Sequence, residues 1–192
     1  MLYMTTLRKT EESRHICEHR AGEELLRHAL KEEYGIKVLP VIERGTYGKP
    51  YFPNCDSIYF NISHAGYMVV CAVAQTELGV DIEAVRPIKS RMPERVLTEL
   101  ERDWLARRED KEDSFIRLWT LKESYVKATG EGLSKDFREI EFSLSDHDLG
   151  DIACNQKGYY FFQKKVKEHV YMALCAKDTK ISEEMKKMHI LF

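Results

Sequence analysis

Residues Leu78 to Val85 read "LGVDIEAV". Apolar and β-branched residues mark a short strand, which two acidic residues interrupt. Side chains alternate along a strand, so Asp81 and Glu83 point to one face while Val80, Ile82 and Ala84 point to the other. Two adjacent carboxylates repel and raise each other's pKa unless water screens them or a positive group lies between. Taken alone, the pair reads equally well as solvated charges on an exposed edge. The neighbouring run Val69 to Ala74 is apolar enough for a central sheet, where bare paired carboxylates are costly. A hard divalent cation would relieve the repulsion, and Mg2+ prefers a few carboxylate oxygens plus waters and substrate phosphates.

Working outward, strands are expected at "MLYMTT", Ser57 to Ile62, Tyr67 to Gln75, Leu78 to Val85, Arg138 to Leu144, Tyr159 to Lys164 and His169 to Ala176. "IKVLPVIER" reads as an edge strand because Pro40 removes a ladder donor. Apolar residues at helical spacing predict a helix from Glu11 to Tyr34 ended by Gly35, and another with Pro93 in its first turn. A third runs from Ser114, as N-cap, to Gly130. The tail "ISEEMKKMHILF" reads as a helical turn without a role. The order predicts an α+β protein built from two related halves packed closely, 1–86 and 87–192.

Thirty Lys and Arg stand against 32 Asp and Glu, a net charge of -2 over 192 residues. No global basic field draws such a chain to nucleic acid, so anion binding must come from local patches. No apolar run is long enough to span a membrane, and the opening lacks a signal-peptide core. The five cysteines are widely spaced without a C-x-x-C pair, which suits buried thiols in a reduced cytoplasm.

Three other stretches carry candidate chemistry. In "FIRLWTLKESYVKATG", residues 115–130, Glu123 and Lys127 lie four apart with Lys122 adjacent. That spacing is ordinarily a surface pair worth a few tenths of a kcal/mol. Trp119 shares their row, however, which sets the pair beside a packed face. "GKPYF" at 48–52 and "FNISHAG" at 60–66 are weak alone, yet Lys49, Ser63 and His64 offer groups suited to phosphate. The first helix carries Arg14, His15, His19, Arg20, Arg27 and His28, most of it read as a solvated face.

In this order, "GKP" at 48–50, "FNISHAG" at 60–66, "GVDIE" at 79–83 and "WTLKESYVKATGEGLS" at 119–134 resemble the 4'-phosphopantetheinyl transferases, specifically the larger type that activates nonribosomal peptide and polyketide synthases. The resemblance implies a pseudo-twofold pair of similar α/β halves with coenzyme A in the site between them, and Mg2+ on Asp81, Glu83 and Glu123. It implies Lys49 and Pro50 on the nucleotide, Ser63 and His64 on phosphates with His64 at the 3'-phosphate, and Lys122 and Lys127 at the pyrophosphate. A basic residue of the first helix would meet a phosphate, with Arg14 the candidate and Arg20 its competitor. Glu123 would take the proton of a carrier serine as it attacks the β-phosphorus, Mg2+ and Lys127 would neutralise charge, and adenosine 3',5'-bisphosphate would leave.

The same resemblance places the acyl or peptidyl carrier protein on the basic and apolar loop Arg86 to Leu97, with the enzyme a monomer. Two other readings use the same residues. One is a Mg2+-dependent phosphodiesterase or nucleotide hydrolase, which needs no carrier. The other is a non-catalytic coenzyme A-binding module, against which the presence of all three carboxylates counts.

Overall fold

The computed structural model of the chain describes residues 1–8, 11–145, 149, 151–177 and 184–188. In order these form strand β1 (Leu2–Thr6), helix α1 (Arg14–Tyr34), the short strands β2 (Glu43–Arg44) and β3 (Pro50–Tyr51), strands β4 (Tyr59–Ala65), β5 (Met68–Ala74) and β6 (Leu78–Ala84), helices α2 (Met92–Val96), α3 (Glu99–Ala106) and α4 (Lys111–Thr129), and strands β7 (Phe142–Leu144), β8 (Ile152–Cys154), β9 (Tyr159–Lys167), β10 (Val170–Lys177) and β11 (Met185–Lys187).

Two sheets dominate, with strand orders β11-β1-β5-β4 and β6-β10-β9. Each contains a strand, a helix and then a hairpin whose second strand lies in the middle: β1, α1, β4, β5 in one case and β6, α4, β9, β10 in the other. The repeated α+β topology is matched by the burial pattern. The apolar stripe of α1, including Ala21, Leu25, Leu26 and Ala29, covers Tyr3, Val69, Cys71 and Val73 of the first sheet. Leu118, Leu121 and Tyr125 of α4 cover Tyr171, Ala173 and Cys175 of the second. The opposite faces meet, packing Leu2, Met4 and Val70 with Val80, Ile82, Met172 and Leu174. Each fully buried Leu or Ile in these layers contributes about 1.5–3 kcal/mol.

The edge strands β4 and β6 approach each other without joining as a ladder. Side chains bridge them instead: the Val80 N–H donates to Asn61 Oδ1 at 2.9 Å, and the Ile82 N–H to Ser63 Oγ at 3.4 Å. Backbone donors at a buried edge must find acceptors, and these two side chains provide them.

Several expectations shift. The divide expected at position 86 places Leu78–Ala84 with the N-terminal residues, yet β6 pairs antiparallel with β10 from Leu78 opposite Ala176 to Ala84 opposite Val170. By sheet membership it belongs with the C-terminal strands β9 and β10. The edge strand at "IKVLPVIER" shrinks to Glu43–Arg44. The helix after Pro93 splits in two, because Thr98 caps Glu101 N–H while the Glu101 side chain accepts from Thr98 N–H, starting α3 afresh. Ser114 lies inside α4, which begins at Lys111, and its hydroxyl donates to Asp110 Oδ1 at 3.0 Å. In the tail, Met185–Lys187 is a strand parallel to β1, not a helical turn, and 181–183 and 189–192 lie outside the described residues. No helix among the described residues is long and apolar enough to cross a membrane.

Candidate active site

The face of β6 that carries Asp81 and Glu83 lies under α4. Gly79 makes this possible: a Cβ there would sit 2.1 Å from Ser124 O and 2.3 Å from Ala128 N, so only glycine lets the helix rest on the strand. One turn of α4 then brings Glu123 and Lys127 over the carboxylate strand. Lys127 Nζ donates to Asp81 Oδ1 at 2.5 Å and to Ser63 Oγ at 3.0 Å. The Ser63 hydroxyl donates to the same Asp81 oxygen at 3.0 Å.

Asp81 is 4% exposed, and its other oxygen, Oδ2, is buried without a partner. Burial pushes its carboxyl above the ordinary value, Lys127 pulls against that and Glu83 adds to it. Glu123 is pushed up to about 7, chiefly by burial and then by the neighbouring Asp81 charge. A carboxyl so poised can exchange a proton near neutrality. Glu83 is held differently, accepting from Arg86 Nη1 at 2.5 Å and from Trp119 Nε1 at 3.1 Å. Trp119 is itself fixed by stacking on Phe137, with planes 4° apart.

A cavity of about 240 Å³ opens beside these groups, lined by Lys49, Pro50, Asn61, Glu123 and Lys127 among others. Lys49 also borders a second cavity of about 500 Å³, which contains none of the site carboxylates. Lys49 Nζ donates to Ala128 O at 2.5 Å and to Leu78 O at 3.2 Å, tying the loop to both α4 and β6. Burial lowers its ammonium to about 8.

Further along β4, His64 Nδ1 lies 3.4 Å from Glu18 Oε2, and Arg14 Nε lies 3.0 Å from Glu18 Oε1. Arg14 and His64 therefore meet through a residue that no motif or spacing singles out. Arg20 turns instead to Glu12, at 2.8 Å.

Asp81, Glu83, Glu123, Lys127, Lys49 and Pro50 thus gather around one region. Lys122 does not join them. It is fully buried, paired with Glu101 at 2.7 Å, and donates to Phe137 O at 2.8 Å and Ile140 O at 2.5 Å. An ammonium has three N–H donors, and all three are spent, so the expected pyrophosphate contact has no donor to make it. Ser63 is likewise occupied inside the fold, giving its proton to Asp81 and accepting from Lys127 and Ile82. Its geometry serves the carboxylate, not an approaching phosphate. Asn61, within "FNISHAG", carries no expected role, although alternation alone puts it on the Ser63 side of β4.

No group of three His, Cys, Asp or Glu side chains among the described residues is arranged to hold a metal ion. The donor chemistry nevertheless suits a hard cation, since Asp81 Oδ2 lacks any partner and carboxylate charge accumulates around it.

Residues 77–177 match the 4'-phosphopantetheinyl transferase superfamily. The chain is 31% identical over 171 residues to 4'-phosphopantetheinyl transferase Sfp of Bacillus subtilis, covering 85% of this chain and 75% of that protein. It is 30% identical over 187 residues to the human L-aminoadipate-semialdehyde dehydrogenase-phosphopantetheinyl transferase, covering 80% of this chain and 59% of that one. Among solved structures, Thermotoga maritima holo-[acyl-carrier-protein] synthase aligns over 55% of this chain and 64% of its own, at 23% identity and a TM-score of 0.45. The matched span contains the carboxylate strand, the helix laid on it and the hairpin that completes their sheet, and on these sequence matches the chain belongs to the 4'-phosphopantetheinyl transferase superfamily.

Proposed function

We propose that the chain transfers the 4'-phosphopantetheine group of coenzyme A to a serine hydroxyl of an apo carrier protein. The observation that carries this reading is the convergence of Glu123, Lys127 and Lys49 on one cavity beside the buried, half-partnered Asp81. The names of the relatives described above support the same activity.

In the transfer, the serine oxygen forms a bond to the β-phosphorus while the bond to the bridging oxygen of the pyrophosphate breaks. The electron pair leaves with adenosine 3',5'-bisphosphate. Glu123, directly or through a water, takes the serine proton, a role suited to a carboxyl pushed up to about 7. Lys127 faces the developing negative charge from beside Asp81, and Lys49 and Pro50 line the nucleotide side of the cavity. Asp81, Glu123 and Glu83 would hold Mg2+, which when bound supplies neutralising charge to the pyrophosphate oxygens. Glu83 reaches it directly or holds a water, since Arg86 and Trp119 already occupy its carboxylate.

Incubation with coenzyme A, MgCl2 and an apo carrier tests the proposal by intact-protein mass spectrometry. The expected result is a mass gain of one phosphopantetheine group on the carrier. Release of adenosine 3',5'-bisphosphate without a carrier would instead favour the hydrolase reading. Binding of coenzyme A without any turnover would favour the binding module.

A further inference from the structure

Helix α1 approaches β4 closely at one point: a Cβ on Gly22 would lie 3.0 Å from Ile62 Cγ2. One turn earlier on the helix is Glu18, and two residues later on the strand, on the same face as Ile62, is His64. The close approach therefore stacks a carboxylate against an imidazole. Glu18 is 4% exposed, which is costly for a carboxylate unless cations compensate it. Arg14 supplies one, its Nε 3.0 Å from Oε1, although off the N–H axis so that Oε1 makes no hydrogen bond. The His64 imidazole lies on the other oxygen, with Nδ1 3.4 Å from Oε2. Both partners keep much of their side chains in solvent, His64 46% and Arg14 62% exposed. The carboxylate thus sits behind, with the guanidinium and the imidazole outward of it.

We propose that Glu18 is a positioning residue that holds His64 and Arg14 as a paired cradle for the 3'-phosphate of coenzyme A. This rests on the reading that coenzyme A is the substrate. By engaging Nδ1, Glu18 fixes the rotation of the imidazole and leaves Nε2 as the nitrogen turned to the ligand. Its charge also draws the Arg14 side chain back along α1, so that the guanidinium Nη groups remain for a second contact. Binding a phosphate with two pre-oriented side chains costs less rotamer freedom than binding it with two mobile ones. Glu18 touches no substrate atom and acts only through its two neighbours.

Removing a single group from the substrate tests this. Carrier loading by the full chain is measured with coenzyme A and with 3'-dephospho-coenzyme A, and the quantity read is the ratio of their kcat/KM values. The wild type is expected to favour coenzyme A about tenfold or more, as for a charge-assisted contact to phosphate. Glu18→Gln, which keeps the shape and loses the charge, should lower that ratio several-fold, and Glu18→Asp, which withdraws the carboxylate from Nδ1, should do the same. Combined with His64→Gln, Glu18→Gln should lower the ratio little further, because both changes disable one contact.

An equal loss of kcat/KM on both substrates, with the ratio kept, would make Glu18 a packing residue only and overturn the proposal. So would a wild type that uses the two substrates alike. If the wild type loads the carrier from neither, the coenzyme A reading itself has failed, and the cradle with it.

Discussion

Lys127 Nζ and Asp81 Oδ1 stand 2.5 Å apart, joining α4 to the face of β6 and leaving Asp81 Oδ2 buried and unpartnered. An oxygen in that state is a vacant donor for a hard cation. Thermal melts with and without MgCl2 should show the wild type stabilised, by about 2.7 kcal/mol at a hundredfold excess over Kd. For a chain of this size that is a rise of about 5–10 °C. Asp81→Asn, which keeps the shape but halves the acceptor set and removes the charge, should abolish the Mg2+-dependent rise and lower transfer about a hundredfold or more. A full Mg2+ response in Asp81→Asn would remove this carboxylate from the metal site.

Glu123 lies one turn before Lys127 and shares its cavity. Glu123→Gln retains an oxygen for a cation but cannot accept the serine proton. Transfer should fall by about 10²–10⁴-fold in kcat, the range for loss of a general base. The Mg2+-dependent stabilisation serves as the control. Normal turnover with that stabilisation intact would mean that another group or a water takes the proton.

The alternation in "LGVDIEAV" was legible from the sequence because it is local: Val80 and Ile82 go to the core between the sheets, and Asp81 and Glu83 to the helix side. What the pattern could not show was the partner of that strand. The residues paired with β6 begin at Val170, and nothing in residues 78–84 names them. Lys122 and Lys127 look alike in "WTLKESYVKAT", yet Lys127 faces Asp81 while Lys122 is buried against Glu101. A five-residue step turns a helix side chain to a different face, and only packing decides which face meets ligand. Glu18 was illegible for the same reason, since its role depends on the place where α1 crosses β4.

The buried Lys122 makes a sharp contrast with Lys127 in its expected behaviour. Glu101 accepts from Lys122, and also from Phe142 N–H at 2.8 Å and Thr98 N–H at 2.9 Å, so it holds α3, α4 and β7 together. Lys122→Met would leave that carboxylate buried without its cation, at a cost of about 3–5 kcal/mol. Urea unfolding should show the loss, whereas the KM for coenzyme A of the protein that remains folded should stay near wild type. A selective rise in that KM without a stability loss would restore Lys122 to the ligand site.

Lys49 offers a pH-dependent readout of its own. Burial lowers its ammonium to about 8, so near pH 8 about half of it is the free amine, against under about 1% for an ordinary lysine. Acylation by an amine-directed reagent at that pH should mark Lys49 ahead of the exposed lysines that its access allows, and coenzyme A should protect it. Stability should carry the same signature. The unfolded chain binds the extra proton between about pH 8 and 10.5, so stability relative to Lys49→Met should rise with pH across that window. A difference that falls over the same range would contradict the lowered value.

The loop from Arg86 to Leu97 divides into parts with different fates. Arg86 is tied to Glu83, and Val96 and Leu97 are buried in the core with α4. Lys89, Arg91 and Arg95 stay exposed beside the half-buried Ile88 and Met92, a mixed surface suited to brief docking of an acidic carrier. Arg91 adopts a φ of 63°, which turns the chain into α2 and carries its side chain outward with the bend. Reversing charge with Arg91→Glu and Arg95→Glu should raise the KM for the carrier about tenfold at low salt, with the gap narrowing as ionic strength rises. The KM for coenzyme A should not move, because these positions lie outside the cavity of Glu123 and Lys127. Equal damage to both constants would place the carrier on another face. Arg86→Glu is the informative contrast: it also disturbs Glu83, so it should reduce Mg2+-dependent turnover as well as carrier affinity.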